Sequence, residues 1–128
     1  MAIATSARLE HPNRETTVED DDDVNAILHA LQDDDCRAVL EATDEESLSA
    51  SELAETCDLP LSTTYRKLDA LTEAGLLAER TRLCPDGKHA SEYVRVVDEV
   101  LVDAGAGFEL TITRRELPER DARIPQTA

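Results

Sequence analysis

Arg66 and Lys67 stand side by side in LSTTYRKLDALTEAGLL, residues 61–77, just after the hydroxyl-bearing Ser62, Thr63 and Tyr65. A guanidinium can bond a guanine edge bidentately, which is worth about 1–3 kcal/mol of discrimination, while hydroxyls and an ammonium suit phosphate oxygens and short-range readout. Downstream, Arg80, Arg82, Lys88 and His89 make a second basic set around Cys84. This is the chemistry of holding a polyanion. No Ser-His-Asp order, glycine-rich phosphate loop or paired metal-ligand spacing accompanies it, so no enzyme, metal site or cofactor is expected. Cys84, with Lys88 and His89 nearby to lower its pKa, is a candidate redox-sensing thiol; the plainer alternative is an incidental surface cysteine.

A basic pair needs explaining in this chain. The 128 residues carry 29 acids against 13 Lys and Arg, for a formal net charge of -16, and only two of the bases are lysines. Residues 1–59 are net -14 and residues 96–128 net -3, whereas residues 60–95 are net +1. Acid in place of lysine, with arginine carrying the positive charge, suits a protein from molar internal salt; the alternative is an acidic protein of a mesophile. In molar salt the Debye length is roughly 3 Å, and self-repulsion is mostly screened. Strong acidity with one Phe, two Tyr and no Trp can also mean disorder, but 41% of residues are hydrophobic and the middle of the chain is periodic. Three cysteines without a CxxC argue against a disulfide framework or a zinc finger. Neither a secretory h-region nor an apolar run of about 18 residues is present, and a cytoplasmic protein without membrane contact is expected.

The elements that would position the basic residues follow from periodicity and caps. Residues 1–20 are expected to be a disordered acidic arm. The last aspartates of the run Glu19-Asp20-Asp21-Asp22-Asp23 should cap a helix from about Asp23 to Leu31, and Asp33-Asp34-Asp35 should open another to about Ala42 that buries Cys36, Val39 and Leu40. Ser49 with Glu52 is a capping box for a short helix ended by Asp58-Leu59-Pro60. A longer helix, 60–75, has Thr64, Leu68 and Leu71 as its core stripe and Gly75 as its C-terminal cap. Strands at 77–83 and 91–97 flank the turn Pro85-Asp86-Gly87. The fold class predicted is α+β: a winged helix-turn-helix over 21–97, an additional C-terminal β-hairpin over 98–115, and a disordered tail over 116–128. A helix at 97–104 competes with the first strand of that hairpin; β-branched enrichment favours the strand.

From about Val24 to Val97 the chain resembles the ArsR-like winged helix-turn-helix transcription regulators, and in composition their haloarchaeal members. Cys36-Arg37-Ala38-Val39-Leu40, Glu52-Leu53-Ala54, the stretch from Leu59 to Leu68, Leu71-Thr72-Glu73-Ala74-Gly75-Leu76-Leu77 and a wing ending at Tyr93 carry the likeness. The resemblance implies double-stranded DNA as partner, a homodimer, and entry of helix 60–75 into the major groove while the wing, 78–95, meets the backbone. Metal sensing does not carry over. Where the metal-sensing branch has Cys-x-Cys-Asp-Leu, this chain has Glu55-Thr56-Cys57-Asp58-Leu59.

With Thr64, Leu68 and Leu71 facing the core, Ser62, Thr63, Arg66 and, to one side, Lys67 should face outward. Two alternatives stay open. Arg66 would be ordinary surface decoration if it met Asp69 at i+3, whereas Lys67 has only Ala70 and Leu71 at i+3 and i+4 and so no such partner. The whole domain, moreover, could serve as a protein-interaction module whose acidic surface meets basic partners. An acidic film over Arg66 would favour that reading, and a neutral-to-positive strip along helix and wing would favour DNA.

Overall fold

The computed structural model describes residues 14–105 and 107–116. The elements run β1 (Glu15–Val18), α1 (Asp21–Gln32), α2 (Asp34–Ala42), α3 (Ala50–Cys57), α4 (Leu61–Glu73), β2 (Leu77–Leu83), β3 (His89–Arg95), β4 (Val97–Asp103) and β5 (Glu109–Arg114). Four helices, a two-stranded wing and a second, three-stranded sheet make an α+β winged helix-turn-helix with an added C-terminal hairpin.

Each helix start has a visible local cause. The Asp20 carboxylate accepts from the N–H groups of Asp22 and Asp23, so the acidic run supplies both the cap of α1 and a first turn that suits the helix dipole. Asp33 caps α2 by accepting from Cys36 N–H at 2.9 Å. Ser49 and Glu52 close the capping box of α3: Glu52 N–H donates to the Ser49 hydroxyl at 3.2 Å, and Ser49 N–H donates to the Glu52 carboxylate at 2.8 Å. Helix α4 ends in a Schellman turn at Gly75, whose φ of +79° is open to glycine without strain; Gly75 N–H donates to Thr72 O and Leu76 N–H to Leu71 O.

One core unites these parts. Val39, Leu53, Leu68, Leu71, Leu76, Leu110 and Ile112 are fully buried, so the same apolar cluster joins the helices to β5 of the second sheet. In the wing, β2 and β3 pair antiparallel with Leu77 opposite Arg95 and Leu83 opposite His89. Leu48 adds a bridge at the far edge of β3, exchanging hydrogen bonds of 3.1 and 2.7 Å with Tyr93. The second sheet has the order β1-β5-β4, antiparallel throughout.

One difference from the sequence reading concerns the N-terminal end. Residues 15–18, expected within the disordered arm, form β1 against β5, with Glu15 opposite Thr113 and Val18 opposite Leu110. The short Glu-Thr-Thr-Val run carries one apolar residue and no clear alternation; its pairing is dictated by the waiting edge of β5. The tail expected to be disordered lies, from 117 onward, outside the described residues, as do residues 1–13. Residues 97–103 are strand, not helix.

Leu68 is completely shielded by the neighbouring helices, so its truncation leaves a cavity as well as losing burial. Leu68→Ala is expected to lower unfolding free energy by about 2–5 kcal/mol in urea titrations run in molar KCl.

Candidate nucleic-acid interface

Helices α3 and α4, joined through Asp58, Leu59 and Pro60, form the helix-turn-helix. Asp58 takes a left-handed conformation, φ 57°, and its N–H bonds back to Glu55 O, which ends α3 sharply. Pro60 then opens α4, where its missing N–H costs nothing. The rotation of α4 is set by Thr64, Leu68 and Leu71, each with 0% exposure. Thr64 can occupy the core because its hydroxyl donates to Pro60 O at 3.0 Å.

Ser62, Tyr65 and Arg66 are consequently exposed and Thr63 half-buried. Among the described residues Arg66 meets no carboxylate within ion-pair distance; its guanidinium donates only to the Thr63 hydroxyl, at 3.3 Å. The i+3 pair with Asp69 does not form. Lys67 differs from the sequence reading. Its ammonium lies 3.2 Å from Asp33, the cap of α2, and is three-quarters buried. The partner comes from 34 residues away in sequence, invisible to an i+3 or i+4 search. Lys67 therefore ties α4 to the α1–α2 corner, and a free phosphate-seeking ammonium is not what it offers.

The wing arginines are similarly engaged. Glu92, 2% exposed, accepts from Arg80 Nε at 2.8 Å and from Arg82 Nε at 2.9 Å, one oxygen each. Arg80 also donates to the Ser47 hydroxyl at 3.0 Å and Arg82 to Glu52 at 3.1 Å. Arg80 stands opposite Glu92 in the β2–β3 ladder and Arg82 two positions on, so all three share one face of the wing. Arg80 and Arg82, expected against a polyanion backbone, donate here to protein acceptors that fasten the wing to the start of α3.

Two basic residues of the wing remain outward. Lys88 and His89 are exposed at the tip, where Gly87, φ +87°, completes the turn and Lys88 N–H donates to Asp86 at 3.0 Å. Cys84, half-buried at the same turn, donates its N–H to Lys88 O at 3.0 Å and accepts from Gly87 N–H at 2.9 Å. On the wing face opposite the Arg80–Glu92 network, His89, Ser91 and Tyr93 line up at alternate positions beside Leu83, Thr81 and Glu79. Burial raises the Tyr93 phenol pKa, and the carboxylates of Glu79 and, on α4, Asp69 push it the same way. Ser91 and Thr81 are neutral, exposed residues on the same wing face as Tyr93, which a search for basic residues misses; their strand parity relative to Tyr93 was the available signal. Acids limit this surface too, with Asp69 and Glu79 both exposed.

The other two thiols lie on apolar faces. Cys36 is buried, and burial followed by Asp33 pushes its pKa up to about 11. Burial also raises Cys57. Neither favours thiolate chemistry. Among the described residues no group of three or more His, Cys, Asp or Glu is placed to hold a metal ion, and no helix is long and apolar enough to cross a membrane.

Residues 26–80 match the family described as a helix-turn-helix domain, a span from α1 through α4 into β2. Among solved structures, one titled a possible transcriptional regulator from Methanosarcina mazei Go1 is similar at 17% identity and a TM-score of 0.44, over 62% of this chain and 73% of that one. No curated protein matches.

The network sets two expectations. Glu92→Ala leaves two guanidinium groups without their shared carboxylate and should cost about 3 kcal/mol or more in denaturant unfolding, the range for breaking a buried pair. Asp33, Glu52 and Asp44 are all held below the ordinary carboxylate pKa: Asp33 first by the Cys36 N–H and then by Lys67, Glu52 first by Arg82 and then by the Ser49 N–H, Asp44 first by Arg115 and then by Arg95. A depressed folded pKa contributes stability that is present above the unfolded value and is lost as pH falls through the folded one. Thermal unfolding midpoints should accordingly drop as pH is lowered through and below the carboxylate range, and the drop should be smaller in Asp33→Asn.

Proposed function

We infer that this protein is a DNA-binding transcription regulator that reads the major groove with the N-terminal half of α4. The observation that carries the reading is Arg66: exposed, one turn into the second helix of a helix-turn-helix, and free of any carboxylate partner among the described residues. Its companions are Ser62, Thr63 and Tyr65 on α4, with Lys88 and His89 of the wing tip meeting the backbone. Lys67, Arg80 and Arg82 act indirectly by holding α4 and the wing in place. The likeness to ArsR-like regulators of haloarchaeal type supports the same reading and adds a homodimer.

Molar salt makes the small footprint intelligible. Counterion release supplies little affinity when bulk salt is high, so affinity rests on close directional contacts. Acids outside the footprint are screened within a few ångströms at that ionic strength. A few outward cations on a protein of net charge -16 can then serve. A second reading draws on Asp69 and Glu79, which flank the footprint: a winged-helix module binding a basic protein partner without specific DNA contact.

The test uses a duplex selected by the wild-type protein from a randomised pool, in gel shifts at molar KCl. Arg66→Ala should weaken binding to that duplex by roughly 5- to 150-fold, the equivalent of one bidentate base contact, while Glu46→Ala leaves it unchanged. Equal affinities for the two variants, or no duplex enriched at all, would favour the interaction module.

A further inference from the structure

One end of the second sheet closes on a cleft of about 280 Å³ lined by Arg14, Thr16, Arg114, Arg115 and Glu116. Three guanidinium groups gather there beside one carboxylate, in a chain whose formal net charge is -16. Strand pairing explains the gathering. Glu15 lies opposite Thr113 in the β1–β5 ladder, so Arg14 and Arg114 come next on the two strands at the same end of the sheet. Like charges brought together in this way are unfavourable without an anion to share.

The three arginines are engaged to different degrees. Arg115 meets Asp44 at 2.9 Å and Asp98 at 2.6 Å. Arg14 meets Glu116 at 2.8 Å, but the Glu116 side chain is 78% exposed, so this pair sits in water and is readily exchanged. Arg114, half-buried, meets no carboxylate within ion-pair distance among the described residues. It follows the fully buried Leu110 and Ile112 at alternate positions of β5, and where that apolar row ends its guanidinium donates to Gly75 O at 2.8 Å. That bond uses one N–H of a group that carries five, in a planar fork that matches an oxyanion.

We propose that this cleft binds a small oxyanion carrying two negative charges, a dicarboxylate or a phosphate, with one charge replacing Glu116 on Arg14 and the other meeting Arg114. The Thr16 hydroxyl is a further donor. Glu116 marks the place: it already sets a carboxylate on Arg14, and being tethered to the chain it acts as an internal competitor for the ligand. The volume lies at the lower edge of ligand pockets, which run from about 300 to 1,000 Å³, and so fits a compact metabolite. Arg114 also holds Gly75 O at the C-terminal stop of α4, so an occupied cleft acts on the end of the helix that carries Arg66. The site stands apart from the DNA reading; only its consequence for a duplex rests on it.

The test titrates the full chain in molar KCl with two probes, succinate and inorganic phosphate, and follows backbone amides by NMR. Saturable shifts at residues 14–16 and 114–116 and at Gly75 are expected from at least one probe, and the tighter of the two gives the class of acid group; neutral succinamide should shift none of them. Arg114→Gln, whose amide can still donate to Gly75 O, should weaken binding roughly tenfold or more. Glu116→Gln should tighten it about twofold or more, because the competing carboxylate is gone. A residue that merely held the sheet together would not strengthen binding when replaced. Absence of any saturable shift with both probes, in wild type and in Glu116→Gln, overturns the site, as does an affinity that neither variant changes. Saturable shifts that leave Gly75 unmoved overturn the link to α4. Each of these results leaves the Arg66 comparison unaffected.

Discussion

Burial of Thr64, Leu68 and Leu71 is the constraint on which the rest of the molecule turns. A helix of 3.6 residues per turn has one rotational freedom, and this stripe removes it. With these three residues sealed, Ser62, Tyr65 and Arg66 are turned outward by helix geometry. The threonine in the stripe carries a condition, since its hydroxyl would be an unmet polar group if Pro60 O were not within reach. The residue that opens α4 thus also licenses the polar member of its buried face.

The positive charge of the chain divides into two kinds of work. Lys67, Arg80 and Arg82 meet carboxylates and fix α4 and the wing to the body; Arg95, at the end of β3, and Arg115, just after β5, converge on Asp44 at 3.5 and 2.9 Å. Arg66, Lys88 and His89 are left outward. In a chain so acidic, an arginine near an acid is the expected state, so the exposed Arg66 without such a neighbour among the described residues is the informative exception. Glu92 is the counterpart on the acidic side: almost completely buried, it serves two guanidinium groups, and a buried carboxylate is tolerable only with partners of that quality. Screening by salt reaches it far less than it reaches the surface pairs.

Much of the fold was legible because its signals are local. The acidic caps, the Ser49–Glu52 box, the 3.6-residue stripe of α4, the Gly75 stop and the Pro-Asp-Gly turn each act within a few residues, and each lies where the sequence placed it except the start of α1, which Asp20 caps a little earlier in the acidic run than expected. What was not legible depended on partners far apart in the chain. Lys67 looked unpaired because Asp33 lies 34 residues upstream, and Arg80 and Arg82 looked available because Glu92 arrives from the next strand. Strand β1 escaped notice for the same reason: Glu-Thr-Thr-Val has no strong pattern of its own and becomes a strand only beside β5. The outward face of α4 was therefore legible as an exposed surface, whereas Lys67, Arg80 and Arg82 meet carboxylates that the sequence pattern did not reveal, because side-chain type tells what a residue can bind and topology decides what it meets first.

The central claim is that the outward face of α4 between Ser62 and Arg66, with the wing tip, is where a duplex is held. Chemical-shift mapping of backbone amides during titration with a duplex selected by the protein, in molar KCl, tests it most directly. The account predicts that the largest shifts fall on residues 62–66 and 88–89, with α1 and the β1-β5-β4 sheet little changed. Largest shifts on those distant elements, with α4 silent, would contradict it.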